Sequence, residues 1–291
     1  MWSASCGKAG TLGSWADVHL GKDDDGPVDL ERPSAGRIYD YLLGRTNNYA
    51  IDREFADQQI STSPGLGEFA RANRAFLGRA VRYAVETGVR QFVDIGSGLP
   101  TQGNVHEIAD EVARGEALVA YVDNEPIAHA HSQILLEDTA DPARHFAVVG
   151  DYFDGAELWE SIMDTTPLNP DEPICLLTVA LLHLMPPEKQ PEAMLADYRD
   201  RLPRGSLLVL SHGSVAPDHH ELRESAGTVI DNYKRSTHRV HLRAREEITD
   251  LFGDFALVDP GLVWIPEWRP SEPVPADPAA IGGLCGVGRK N

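Results

Sequence analysis

Between residues 91 and 210 the chain alternates short apolar runs with amphipathic stretches, and few architectures accept that rhythm. Runs at 91–95, 118–122, 146–149, 174–182 and 207–210 read as strands. The stretches 105–114, 127–137, 156–163 and 187–201 read as helices, the last with a proline in its first turn. Strands joined by helical crossovers predict a mostly parallel sheet covered by helices on both faces. Upstream, 34–43 reads as a short helix. A longer one is expected over 67–87, with Phe69, Phe76, Leu77, Val81 and Tyr83 at helical spacing and Gly88 at its end. Downstream, 221–235 and 245–252 look helical, and 255–258, 262–265 and 281–287 look extended. This hairpin-like finish around a proline-rich loop puts an antiparallel strand at one side of the sheet, whereas dinucleotide-binding folds finish on parallel crossovers.

Composition bounds what such a sheet can serve. The chain has 291 residues, 42% of them hydrophobic, enough for one large domain. We expect that domain over 34–291, opening with a helical lid at about 34–88. Residues 1–33 are rich in Gly, Ser and Asp and lack apolar periodicity, so a disordered acidic tail is expected there. The formal net charge of -19 disfavours nucleic acid and anionic lipid as partners. No apolar run reaches the roughly 18 residues of a membrane span, and no charged leader precedes an apolar core. A cytoplasmic protein is expected. Cys6, Cys175 and Cys285 are too scattered for a disulfide framework, and Cys175, inside Ile174-Cys175-Leu176-Leu177, reads as a buried thiol.

The chemistry concentrates where the first strand of the alternation ends. Phe92-Val93-Asp94-Ile95 runs into Gly96-Ser97-Gly98, whose glycines allow a sharp turn and close approach of a ligand to bare backbone. A nicotinamide dinucleotide would ask for G-x-G-x-x-G, but Thr101 stands at the third position. Asp94, two residues before the first glycine, would repel a pyrophosphate and attract a ligand with a cationic end. S-adenosylmethionine (SAM) carries a sulfonium, an ammonium and no phosphate. The loop therefore favours SAM, with a satisfied turn carboxylate as the alternative for Asp94. Asp123-Asn124 closes the next strand, where an acid accepts ribose hydroxyls in nucleotide folds, and serves either cofactor. Asp151-Tyr152 closes the third, where Asp151 either bonds the adenine amino group or caps the helix that follows.

The fourth strand ends in Leu181-Leu182-His183. In an open α/β sheet such an end lines the ligand crevice. His183 is a candidate to orient cofactor or substrate or to act as general base, with a structural role as the alternative. Tyr39, Tyr41, Tyr49, Arg71, Asn73 and Arg74 form a polar–aromatic group before the first core strand. They either face the acceptor or pack the core and surface. Tyr41 is a second candidate base. His129-Ala130-His131 and His219-His220 lack the spacing of a helical zinc site, so no metal is expected. Neither a Gly-x-Ser-x-Gly elbow nor a P-loop is present.

Several blocks resemble a bacterial S-adenosyl methyltransferase family long described as a domain of unknown function. Arg37-Ile38-Tyr39-Asp40-Tyr41-Leu42-Leu43-Gly44 is similar to its N-terminal signature. Asp94-Ile95-Gly96-Ser97-Gly98-Leu99-Pro100-Thr101, followed by Asn104-Val105-His106-Glu107, is similar to its cofactor loop. Leu181-Leu182-His183, Pro260-Gly261-Leu262-Val263 and Trp268-Arg269-Pro270 also match, so the resemblance spans about residues 33–289. It implies a Rossmann-like class I methyltransferase fold, expected here as a seven-stranded, mostly parallel sheet with one antiparallel strand near the C-terminus. It also implies that Asp94, Gly96, Gly98 and Asp123 hold SAM. Arg45-Thr46-Asn47-Asn48 departs from the family's second glycine, lysine and aspartate. The function expected is methyl transfer from SAM to a small-molecule acceptor, with a non-catalytic SAM-binding protein as the alternative.

Overall fold

The computed structural model describes residues 30–99 and 103–291. Most of the expected tail, along with Pro100 and Thr101, lies outside the described residues. Five parallel strands come first: β1 (Gln91–Ile95), β2 (Leu118–Asp123), β3 (His145–Val149), β4 (Ile174–Val179) and β5 (Leu207–Gly213). They lie in the order β3-β2-β1-β4-β5, so the chain reverses direction across the sheet between β1 and β4. A crevice opens at the carboxyl ends of strands at such a reversal.

Among the described residues the sheet has eight strands where seven were expected. β8 (Gly283–Lys290) lies antiparallel beside β5, and its far edge is shared by two short strands, β6 (Phe255–Leu257) and β7 (Val263–Trp264). Asp259-Pro260-Gly261 divides that edge, since proline donates no backbone hydrogen bond and Gly261 turns at φ +90°. One strand position is thus filled twice, and β8 is the single strand that runs against the others.

Side chains alternate across the sheet. Phe92, Val119, Cys175 and Leu177 pack on one face against α3 (Leu66–Glu86) and α4 (Val105–Val112). Val93, Ala120 and Leu176 pack on the other against α6 (Ala156–Thr165), α7 (Pro191–Arg201) and α9 (Arg245–Asp250). Burial of Cys175 and Cys285 raises both thiols well above their ordinary range, which makes them inert packing groups.

Ahead of the sheet, α1 (Ala35–Leu42), α2 (Ala50–Thr62) and α3 share a smaller core with α8 (His220–Tyr233), built from Ile38, Leu42, Phe55, Ala70, Val229 and Tyr233. The sequence pattern gave no sign of α2, whose apolar residues are diluted by charge. Its start is set by a polar contact: the Asp52 carboxylate accepts the Tyr49 N–H at 2.9 Å. The same carboxylate accepts Arg37 Nε at 2.8 Å and the Ser34 N–H at 3.0 Å. Arg37 and Asp52 are 1% and 0% exposed, so this pair is fully withdrawn from water. Arg37 also reaches Glu125 Oε1 at 2.8 Å, just beyond β2.

A second buried cluster sits behind the cofactor loop. His106 Nδ1 meets the Tyr121 hydroxyl at 2.7 Å, and the rings of His106 and His145 lie 4.7 Å apart. Both Nε2 atoms are buried without a partner. Burial lowers both histidines, His145 to about 4; the charges of His106 and Arg144 aid the His145 shift against Asp110 and Asp141, and Arg144 aids the His106 shift against Glu107 and Asp110. The unfolded chain, with ordinary histidines, therefore binds more protons than the folded one below about pH 6.5. Stability from this pair is complete above that pH and is lost as pH falls toward 4. In thermal denaturation from pH 7 to 4.5, His145→Phe should lose less of its midpoint than the parent. Parallel curves would refute this.

Candidate functional site

A cavity of about 220 Å³ opens at the reversal between β1 and β4. Its floor is the loop after β1. Gly96 turns at φ +71° and Gly98 at φ +65°, which only glycine adopts without strain. A Cβ on Gly96 would stand 2.4 Å from Leu181 Cδ1, so the loop is pressed against the end of β4. A Cβ on Gly98 would meet nothing within 4 Å.

Asp94 lines the cavity and is 6% exposed. Among the described residues no hydrogen bond to its carboxylate is found. Burial pushes it up to about 7, the nearby Arg74 guanidinium opposes that rise, and Asp123 adds to it. Among the described residues, Ser97 Oγ and Arg74 Nε beside it are buried without partners, while Arg74 Nη2 donates to Asn104 Oδ1 at 3.3 Å. Asp94, Ser97 and Arg74 also border a void of about 10 Å³ beneath the loop, the room of one water. A buried carboxylate, hydroxyl and guanidinium Nε left without hydrogen-bond partners here are costly unless a ligand completes them.

Asp123 braces the loop from below. Its Oδ2 accepts the Gly98 N–H at 2.8 Å and its Oδ1 accepts the Glu125 N–H at 2.9 Å. Burial still raises it to about 6. Asn124 Nδ2 donates to Asp151 Oδ2 at 3.2 Å, which brings the ends of β2 and β3 together. Asp151 also accepts the Phe153 N–H at 2.9 Å, capping the turn that follows. Tyr152 is buried, and its hydroxyl donates to the Pro191 carbonyl at 2.7 Å. None of these four lines the cavity.

The opposite wall is set by a relay of polar groups. β4 ends three residues earlier than its apolar run, because Ala180 adopts φ +55° and donates its N–H to Ser211 Oγ at 2.9 Å. Ser211 donates on to Asn73 Oδ1, and Asn73 Nδ2 donates to the Tyr39 hydroxyl at 2.9 Å. Tyr39 in turn donates to the Ala70 carbonyl at 3.1 Å. Ala180, Asn73 and Tyr39 therefore line the cavity in fixed positions.

His183 lies on the short turn after β4, lines the cavity and is 8% exposed. The Gly213 N–H donates to its Nδ1 at 3.3 Å. An amide N–H cannot accept, so the ring proton sits on Nε2. Burial, assisted by Arg243, lowers His183 to about 4. Behind Gly213, the His212 Nδ1–H donates to the Gly213 carbonyl at 2.8 Å and His212 Nε2 accepts from Arg243 at 2.7 Å. Glu192 pairs with Arg243 and completes the brace. Sequence reasoning missed this network, whose members run from His183 to Arg243 with no common spacing.

The polar–aromatic group divides. Tyr39, Asn73 and Arg74 reach the cavity. The Tyr41 hydroxyl donates instead to Asp57 at 2.9 Å, and Tyr49 is exposed with its ring beneath Arg37. Neither lines the cavity. Asp40 does, with Oδ2 accepting Asn48 Nδ2 at 2.8 Å. The departing Arg45–Asn48 turn is thereby tied to the site through Asn48. Among the described residues no cluster of His, Cys, Asp and Glu is arranged to hold a metal, and no helix is long and apolar enough to cross a membrane.

A parallel sheet with one late antiparallel strand, a glycine loop after β1 and an unpaired acid beneath it together define a class I methyltransferase. The chain belongs to the S-adenosyl methyltransferase family, whose model matches residues 22–291. It is similar to a crystal structure from Thermobifida fusca whose methyltransferase assignment is provisional. That match is 34% identical, covers 91% of this chain and 97% of the other, and has a TM-score of 0.82. A DUF574 family protein from Streptomyces avermitilis is also 34% identical, with 91% and 100% covered and a TM-score of 0.81. A comparison with curated proteins gave no match. The protein is a SAM-dependent methyltransferase.

The loop suits that cofactor. Open space beyond Gly98, an Asp94 carboxylate without a hydrogen bond among the described residues, and the partnerless Ser97 Oγ and Arg74 Nε put one acidic and one basic group where a ligand with an ammonium and a carboxylate would fit.

Proposed function

We propose that this protein transfers the SAM methyl group to a small-molecule acceptor held in the cavity between the β1 loop, α3 and α8. The observation that carries this reading is the continuity of the cavity, which runs from Asp94 and Gly98 past His183 to the inner face of α8. When bound, SAM supplies a methyl already activated by its sulfonium.

In this reading Asp94 takes the ammonium of the cofactor and Arg74 its carboxylate. That moves Arg74 from the acceptor to the cofactor. The nucleoside lies over the rim, where Asp123, Asn124 and Asp151 close β2 and β3. Ser97 offers its hydroxyl beside them. Tyr39 and Asn73 border the acceptor, and Tyr49 and Tyr41 stand apart from it.

His183 acts as a hydrogen-bond donor. Its Nδ1 lone pair is used by Gly213, and its Nε2 already carries the proton, so it positions the acceptor atom and leaves the acceptor's own proton to solvent. Alignment of donor and acceptor then supplies much of the rate, worth up to roughly 7–11 kcal/mol in well-oriented pairs.

Calorimetric titration with SAM, S-adenosylhomocysteine and NADH tests the cofactor assignment: the first two should bind and NADH should not. With an acceptor in hand, His183→Phe should raise KM and lower kcat/KM by roughly 10- to 100-fold, the worth of one positioned hydrogen bond in a dry site. It should leave S-adenosylhomocysteine affinity within twofold. An acidic pH–rate limb near 4 that vanishes in His183→Phe would instead make His183 a base.

A further inference from the structure

The part of the cavity that the cofactor does not need has a chemistry of its own. Beyond His183 it is walled by α8 and by the segments that flank it, with Leu222, Ala226, Val229 and Ile230 on the helix and Leu66 and Leu242 facing them. Leu222, Ala226 and Ile230 fall at helical spacing and are only partly buried, so they are apolar side chains turned to open space and not to a packed core. Phe69 stands edge-on to His183, with ring centroids 6.2 Å apart.

Charge is distributed unevenly. Among the described residues three charged side chains line the cavity: Asp40, Asp94 and Arg74. Asp94 and Arg74 both lie at the loop, near enough for the guanidinium charge to oppose the rise of Asp94. Asp40 has one oxygen held by Asn48 and the other buried in protein. Among the described residues the α8 wall carries no charge, so an acceptor bearing a carboxylate, phosphate or ammonium would lose its hydration there with no opposite charge to replace it. Among the described residues His183 Nε2–H stands beside this wall without a partner, as do the Tyr233 and Ser63 hydroxyls, whereas Tyr39 and Asn73 spend their hydrogen bonds on Ala70, Ser211 and each other.

We infer that the acceptor is an uncharged, largely hydrocarbon molecule that rests its apolar body on α8 and presents the oxygen or nitrogen to be methylated to His183. This rests on the methyltransferase reading above and adds the class of acceptor to it.

Three naphthalene probes of matched size test the inference in the full-length protein saturated with S-adenosylhomocysteine: neutral 2-naphthol, anionic 6-hydroxy-2-naphthoate and cationic 2-naphthylmethylamine. Fluorescence titration should show 2-naphthol binding at least tenfold more tightly than either charged probe. Ile230→Lys should weaken 2-naphthol at least tenfold and narrow or reverse its lead over the naphthoate. Ala226→Phe, which fills the wall without charging it, should also exclude 2-naphthol. S-adenosylhomocysteine binding measured on each variant reports an intact fold. Equal or tighter binding of a charged probe overturns the inference. So does absence of 2-naphthol binding, or indifference of 2-naphthol to both substitutions, in protein that binds S-adenosylhomocysteine. Failure to bind S-adenosylhomocysteine overturns the cofactor reading instead, and the ranking of the probes can still be read without it.

Discussion

Asp94→Asn should weaken S-adenosylhomocysteine binding roughly 10- to 150-fold, the worth of a charge-assisted hydrogen bond of about 1.5–3 kcal/mol. The side chain keeps its shape and loses only its charge, so the loss reports the attraction for the ligand's ammonium. The pH dependence gives a second signature. With Asp94 near 7 in the free protein, the carboxylate is increasingly neutral below that pH. The parent's affinity should fall as pH drops from 7.5 to 5.5, approaching tenfold per unit, while Asp94→Asn stays nearly flat. The sign is reversed for stability. A carboxylate raised by burial favours the folded state while protonated, and that benefit is lost as pH rises through 7. Asp94→Asn should therefore be at least as stable as the parent at pH 8 without ligand. Isothermal titration across pH checks the first pair of expectations and denaturant unfolding the last. Unchanged affinity in Asp94→Asn would remove Asp94 from the cofactor site.

The second large effect lies away from the cavity. Asp52→Ala should cost about 3 kcal/mol of stability, the low end for a broken buried ion pair, because Arg37 Nε loses the carboxylate buried with it while Glu125 still holds Nη1. It also takes the acceptor from the Ser34 and Tyr49 amides. Chemical denaturation measures the loss. A double variant, Arg37→Met with Asp52→Leu, removes both charges and should recover at least half of it. A double variant as unstable as the single would show that packing, not the lost buried partner of Arg37, sets the cost. Arg37 and Ser34 both reach the Glu125 carboxylate, and the Glu125 amide holds Asp123. Asp52→Ala should therefore also weaken S-adenosylhomocysteine, though by less than Asp94→Asn.

This latch gives physical content to the proposed lid at about 34–88. α1 and α2 meet the end of β2 through an ion-pair network, and they meet α8 through an apolar cluster. The cavity lies between those two attachments, so movement at either would change access to it.

The residues that announced the site were those whose work is local. Gly96 and Gly98 stand in a turn that demands positive φ, and Asp94 is placed by its position at the end of a strand. The alternation of apolar runs fixed five parallel strands because strand and helix each repeat within a few residues. Even the late antiparallel strand could be read from the proline-rich break before it. α2 escaped because its amphipathic signal is weak and its start is set by Asp52. The proton on His183 Nε2 is dictated by an amide 30 residues away, and the brace behind that amide by Arg243 and Glu192. Tyr41 and Tyr39 occupy nearly adjacent positions on one short helix, yet only Tyr39 faces the cavity, since which side of α1 is covered depends on where α3 and α8 lie. Sequence alone determined the sheet, the loop and the charge that the loop presents, because those follow from periodicity, backbone sterics and residue type over a few positions. The tertiary structure decided which side chains share one cavity, which are spent on one another and which tautomer a histidine keeps, because those depend on contacts between segments far apart in the chain.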